Sequence, residues 1–390
     1  MPLRGSNQTF LEWFEPRYLP LILAFILCCK EYYYPSIPYY VLPETQTDWR
    51  AWTLPEIEAW HNSLPWIFGA NFIPSTASNP IEMWNEHTFD AATIERELQW
   101  ASEIGMNAVR VFLHFLPFQD GRKGLIRRME SFLEIANRTG IKTAFVFFDD
   151  VWNPYPKPGP QPRPRPFVHN SVWVQCPGLE VLQNKTKQKQ LLKPYVKRIT
   201  RHFAKDSRIL FWDVYNEPGN RNTLIFWDPS WKREATRKLL TRAFLWIREV
   251  WPSQPVTSAV FYDSSSVKEI IYTQLDNSDF ISFHSYDRLP RFARDYARLS
   301  QCQRPIICSE YMARPFGSSF EKILPFARGK NVGMINWGLV SGKTQTIYPW
   351  SSWWFKPSSP SELWFHDIFR TDGSPFSRDE IELVKKISSA

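Results

Sequence analysis

The chain has 390 residues, of which 43% are apolar and 16% aromatic, nineteen of them Trp. Apolar residues this abundant and evenly spread exclude a disordered chain, and five Cys in this length exclude a disulfide framework. A formal net charge of +8 arises from 47 basic and 39 acidic residues dispersed along the chain, without the basic stripe that nucleic acid requires, so no nucleic-acid partner is expected.

Residues 1–47 read as a tail and linker ahead of one domain spanning 48–390. Tyr18–Cys29 (YLPLILAFILCC) is an apolar run of twelve residues, too short to cross a bilayer comfortably. Arg4 and Arg17 before it suit a signal peptide, whereas Glu12, Glu15, Pro20 and the lack of a small-x-small cleavage site do not. The expectation is secretion or membrane association through residues 18–29, with a plain hydrophobic tail helix as the alternative. Lys30 to Thr47 is rich in Pro and Tyr and reads as linker.

Eight short apolar runs follow: Trp66–Phe72, Asn107–Phe115, Ile141–Asp149, Ile209–Asn216, Pro255–Phe261, Phe280–His284, Pro305–Glu310 and Val332–Trp337. Near-continuous apolar strands are what a parallel sheet covered on both faces requires. Amphipathic stretches lie between them, among them Ala91–Ile104, Leu125–Asn137, Lys187–Ala204 and Arg233–Val250. Eight strand–helix alternations predict an α/β fold of the (β/α)8 TIM-barrel type. Between the third and fourth runs, Pro154–Pro166 places Pro at every second position; it can be neither helix nor strand, and would either wall the barrel mouth or lie in solvent.

In such a barrel, polar residues at the C-terminal strand ends are placed for chemistry. Glu217 follows the fourth run and Glu310 ends the seventh, strands that face each other across the mouth. Paired carboxylates suit glycoside hydrolysis: one protonates the leaving oxygen, and the other attacks the anomeric carbon or activates water. A structural ion pair with Arg is the plain alternative for either Glu alone. Asp149 and Asp150 are rival acids, expected to pair with Arg or with substrate hydroxyls.

Trp212–Pro218 (WDVYNEP) resembles the acid/base strand of clan A glycoside hydrolases and is most similar to family 5, the cellulase- and mannanase-like enzymes, over roughly residues 60–390. Arg110 in NAVRVF, His284-Ser285-Tyr286 after the sixth run, Glu310 and Trp337 fall in the family's order. Gly69–Trp84 and Trp337–Trp350 look like bacterial proteins of cellulase-family or xylanase-like type. The resemblance implies that Glu217 is acid and then base, and that Glu310 is the nucleophile of a retaining reaction with carboxyls about 5 Å apart. It also implies that Asn216 meets the sugar 2-OH, Arg110 and Tyr286 hold Glu310, His284 contacts sugar or tunes Glu217, and Trp337 stacks on sugar. At least one of Trp350, Trp353 and Trp354 is expected to line a subsite; Asn71, Trp84, Trp152 and Trp173 are weaker candidates. The expected activity is cleavage of a β-linked glycan, led by an endo-acting β-1,4-glucanase, mannanase or xylanase. An exo-acting β-glycosidase or β-mannosidase, or a barrel that binds carbohydrate without catalysis, are the alternatives. No metal-ligand spacing or nucleotide fingerprint occurs, so no cofactor or metal is expected, and the carbohydrate-binding chain is expected to be a monomer.

Overall fold

The computed structural model describes residues 51–222, 225–261 and 267–389. The expectations for residues 1–47, including the apolar run at 18–29, lie outside these. Among the described residues, no helix is long and apolar enough to cross a membrane.

The strands are β1 (Phe68–Asn71), β2 (Ala108–Phe112), β3 (Lys142–Asp149), β4 (Ile209–Asn216), β5 (Val256–Thr257), β6 (Ile281–His284), β7 (Ile306–Glu310) and β8 (Gly333–Trp337). All neighbours pair parallel, in the order β5-β4-β3-β2-β1-β8-β7-β6. Between β5 and β6 the ladder thins to one parallel bridge, in which Val260 N donates to Ser282 O and His284 N to Val260 O, both at 2.9 Å. The result is a (β/α)8 barrel.

Each predicted run coincides with a strand, with two ends trimmed for local reasons. The fifth run shortens because side chains take over the hydrogen bonds past Thr257: Ser258 N donates to Ser278 Oγ and Ser258 Oγ to Tyr215 O. The second ends early because His114 caps a short helix, Phe115–Asp120, through its Nδ1 and Leu116 N.

The strands are buried along nearly their whole length, as two covered faces require. Helix α1 (Leu54–Asn62) seals the N-terminal end of the barrel, where Ile57 is fully buried and Trp60 stacks on Phe280 at 5.4 Å. Helix α2 (Ala91–Glu103) starts at Asp90, whose carboxylate accepts from Thr93 N, and buries Ile94, Leu98 and Ala101 as one stripe. Helix α3 (Arg122–Arg138) covers the next position. The helix expected at 187–204 is broken: a π-turn at Gln188–Leu192 precedes α4 (Lys193–His202), where Pro194 supplies no N–H to continue the ladder. Helix α5 (Lys232–Arg248) follows β4.

The proline-rich stretch 154–166 is neither helix nor strand, and its middle is largely exposed. Trp152 before it and residues 168–170 and 172–176 after it are buried against the barrel mouth. The stretch itself therefore lies toward solvent, and its two ends form the wall.

Candidate active site

β4 delivers Asn216 and Glu217 to the C-terminal end of the barrel. The chain then turns at once, with Asn220 N donating to Glu217 O at 3.0 Å. Glu217 has φ +44°, a left-handed conformation that a side chain rarely adopts and that the surrounding structure must hold. Asp150 holds it: its carboxylate accepts from Gly219 N (2.7 Å), Thr236 Oγ1 (2.8 Å) and Tyr215 OH (2.9 Å), all buried. Lys232 of α5, also fully buried, donates to Asp150 O and to Asn220 O. Asp150 is thus a strut behind the turn.

Glu217 and Glu310 meet across the mouth. One carboxylate oxygen from each, together with a ring nitrogen of His284, lie within 4.8 Å of one another. His284 Nδ1 is 2.9 Å from Glu217 Oε1 and 3.5 Å from Glu310 Oε2. Its Nε2 is buried without a partner among the described residues, which puts the proton of the neutral ring on Nδ1, facing the carboxylates. Glu310 is gripped from two other sides: Arg110 Nη1 donates to Oε1 at 2.9 Å and Tyr286 OH to Oε2 at 2.7 Å. Glu217 has a lighter partner, Asn220 Nδ2, at 2.6 Å from Oε2.

Arg110 organises the floor. It lies inside the barrel with no exposure and also donates to Asn71 Oδ1 (2.7 Å), Asp213 Oδ2 (2.9 Å) and Asn216 Oδ1 (2.7 Å). Asn216 Nδ2 in turn donates to Asp149 Oδ1 at 3.0 Å. With its oxygen committed to Arg110, the Asn216 amide can only present N–H to the cleft, the polarity a sugar hydroxyl needs.

The charges do not balance. Arg110 with Asp213 and Glu310 already leaves one surplus negative charge, and His284 is neutral because burial pushes its pKa down to about 3. Burial pushes both Glu217 and Glu310 up to about 7. On Glu310 the nearby Glu217 adds to that push, while Arg110 and Tyr286 oppose it. On Glu217, Asn220 opposes it through a hydrogen bond and Arg110 from farther away. Direct contact with Arg110 and Tyr286 makes Glu310 the member that ionises and Glu217 the member that keeps a proton. Asp149 is likewise pushed up to about 7 by burial, offset by Trp173 and Asn216. The spacing of Glu217, His284 and Glu310 could also accommodate a cation. Each Glu, however, is already engaged by donors, so the trio reads as an acid pair with a neutral bridge.

The five residues expected around the two Glu gather here, Trp337 among them: it is half-buried and packs edge-on against Phe112 (5.7 Å) and Trp173 (5.6 Å). Trp173 donates its Nε1 to Asp149 at 2.7 Å. Trp84 is core, with no exposure and its Nε1 bonded to Phe112 O. Trp353 is covered on both faces, by Trp152 stacked at 5.2 Å and 14° and by Arg165 at 4.1 Å, so it offers no sugar platform. Trp350 is half-buried, edge-on to Tyr286 at 5.1 Å. Asp149 and Asp150 pair with Trp, Asn, Tyr, Thr, Lys and backbone N–H rather than with Arg. Two participants were missed in the sequence, Asp213 and Asn220. A lone Asp inside the apolar run ILFWDVYN was the available signal for Asp213; nothing local marked Asn220.

The family model for glycosyl hydrolase family 10 matches residues 167–269, which carry β4, Glu217 and β5. No curated protein sequence matches the chain. Solved structures share the barrel. A GH5_18 protein from Streptomyces cattleya, in complex with Manb1-4GlcNAc, has TM-score 0.55 and 13% identity, covering 84% of this chain and 80% of that one. The endo-beta-1,4-mannanase from Thermotoga petrophila has TM-score 0.54 and 13% identity over 84% and 77%. A family 5 mannosidase from Rhizomucor miehei has TM-score 0.51 and 15% identity over 83% and 92%. The chain therefore has the barrel fold of these glycoside hydrolases and carries a glycosyl hydrolase signature across its acid-bearing strand.

Proposed function

We propose that this protein is a retaining β-glycoside hydrolase acting on a β-linked glycan by double displacement. The observation that carries the reading is the pair Glu217 and Glu310 at opposed strand ends, with carboxylate oxygens within 4.8 Å, on the short side of the spacing that separates retaining from inverting pairs. Ionised Glu310, held by Arg110 and Tyr286, attacks the anomeric carbon while Glu217 gives its proton to the leaving oxygen. A water then attacks the glycosyl–Glu310 ester, losing its proton to Glu217, and Glu310 leaves as carboxylate. Asn216 donates to the sugar 2-OH, and Trp337 presents a ring beside the reacting sugar. The structural neighbours that act on or bind mannose-containing sugars favour a manno-configured substrate, with glucan and xylan as the other β-linked backbones.

The test is mechanism-based labelling with activated 2-deoxy-2-fluoro β-glycosides of the manno, gluco and xylo series, followed by peptide mapping. A glycosyl adduct on Glu310 is expected. Absence of any adduct, with no turnover of the aryl glycosides, would remove the proposal.

A further inference from the structure

Resting on the glycosidase reading above, we propose that the active site is a pocket closed on one side, which takes the terminal residue of a β-linked chain rather than an internal segment. In strand order β1 and β2 lie between β8 and β3. The segments following β3 and β8 meet above them along a continuous seam. Phe167 N donates to Gln345 Oε1 (2.7 Å), Asn170 N to Thr344 O (2.8 Å), and Trp353 Nε1 to His169 O (2.7 Å). The Trp152–Trp353 stack, backed by Arg165, fills the space between these bonds.

The segment following β1 props the seam from below. Asn79 Nδ2 donates to Val172 O at 2.9 Å, and Lys343 N to Ser75 O at 3.0 Å. Gly342 passes so close to Ser75 that a Cβ there would lie 2.4 Å from Ser75 Cα, so no channel for a glycan separates these two segments. Phe226, after β4, adds an edge contact to Trp353 at 5.5 Å. Beside the seam is a narrow recess lined by Asn71, Phe112, Trp173, Trp337 and Thr344, to which neither Glu217 nor Glu310 contributes. A polysaccharide lying through the mouth would have to thread the seam, whereas a chain end has only to stop against it. The terminal sugar sits between the seam and the acid pair with its anomeric carbon at Glu310, and the leaving chain extends outward past Glu217. The cleft walls thus turn the expectation of endo action toward its exo alternative.

The experiment follows reducing-end-labelled β-1,4-linked manno-, gluco- and xylopentaose with the full chain. Monosaccharide from the unlabelled end and a labelled ladder shortening by one sugar at a time are expected, with polysaccharide viscosity unchanged while reducing ends accumulate. Early labelled di- and trisaccharides with falling viscosity would overturn the pocket while leaving the hydrolase reading intact, provided Glu310 still traps. Failure of both trapping and cleavage would overturn both. Trp353→Ala, and the milder Arg165→Ala, are expected to shift products toward internal cleavage; an unchanged pattern in two folded variants would show that the seam does not set the mode of attack.

Discussion

Replacing Tyr286 by Phe isolates one of the contacts that keep Glu310 ionised. The ring is buried and held edge-on by Trp350 at 5.1 Å and beside His366 at 5.4 Å, contacts that Phe retains, so the fold should survive the change. What is lost is the phenol donor 2.7 Å from Glu310 Oε2. A hydrogen bond to a charged acceptor contributes about 1.5–3 kcal/mol, and each pKa unit corresponds to about 1.4 kcal/mol, so the carboxyl should become harder to ionise by about one to two units. Burial already pushes Glu310 up to about 7, and Tyr286 is among the groups opposing that push. Attack requires the carboxylate, so raising its pKa moves the acidic limb of the rate profile to higher pH. The assay is kcat/KM against pH with a dinitrophenyl β-glycoside, whose leaving group needs no proton and leaves the Glu217 limb weak. The limb should move up by about one to two pH units, with much of the rate recovered above it. A loss by the same factor at every pH, with the limb unmoved, would refute the argument that Tyr286 acts through the ionisation of Glu310.

Glu217→Gln should slow glycosides with poor leaving groups far more than dinitrophenyl glycosides, since only the former need a proton donor; equal losses would contradict the acid role. Asn220→Ala removes the 2.6 Å donor that favours ionised Glu217, so the alkaline limb, which needs Glu217 protonated, should move upward by about one pH unit in the profile for a poor leaving group. Arg110→Met strands fully buried Asp213 and nearly buried Glu310 without their cation. It should cost about 3–5 kcal/mol in denaturant unfolding, part of which Asp213→Leu in the same chain restores.

The barrel was legible because its signal is local. Strands covered on both faces must be apolar at nearly every position, and Ile209–Asn216 shows this with all eight residues buried. The trimmed ends at Thr257 and His114 were not legible, because side chains of Ser258 and His114 compete for backbone bonds only once their partners are in place. Glu217 and Glu310 stood out because carboxylates directly after apolar runs have few structural reasons to be there.

By itself, the sequence determined the eightfold alternation, the two acids at opposed strand ends, and the residue types that surround them. Tertiary structure alone decided what each group touches. The bond from Arg110 to Glu310 spans 200 residues of chain, and the charge surplus that sets the two carboxyls apart exists only when Arg110, Asp213, Asp149 and both Glu share one buried volume. The same holds for the aromatics. Trp337 and Trp353 are alike in composition and near each other in sequence, yet one lines the recess and the other is stacked between Trp152 and Arg165. Which face of a ring stays available depends on packing between distant segments, and no local pattern encodes it.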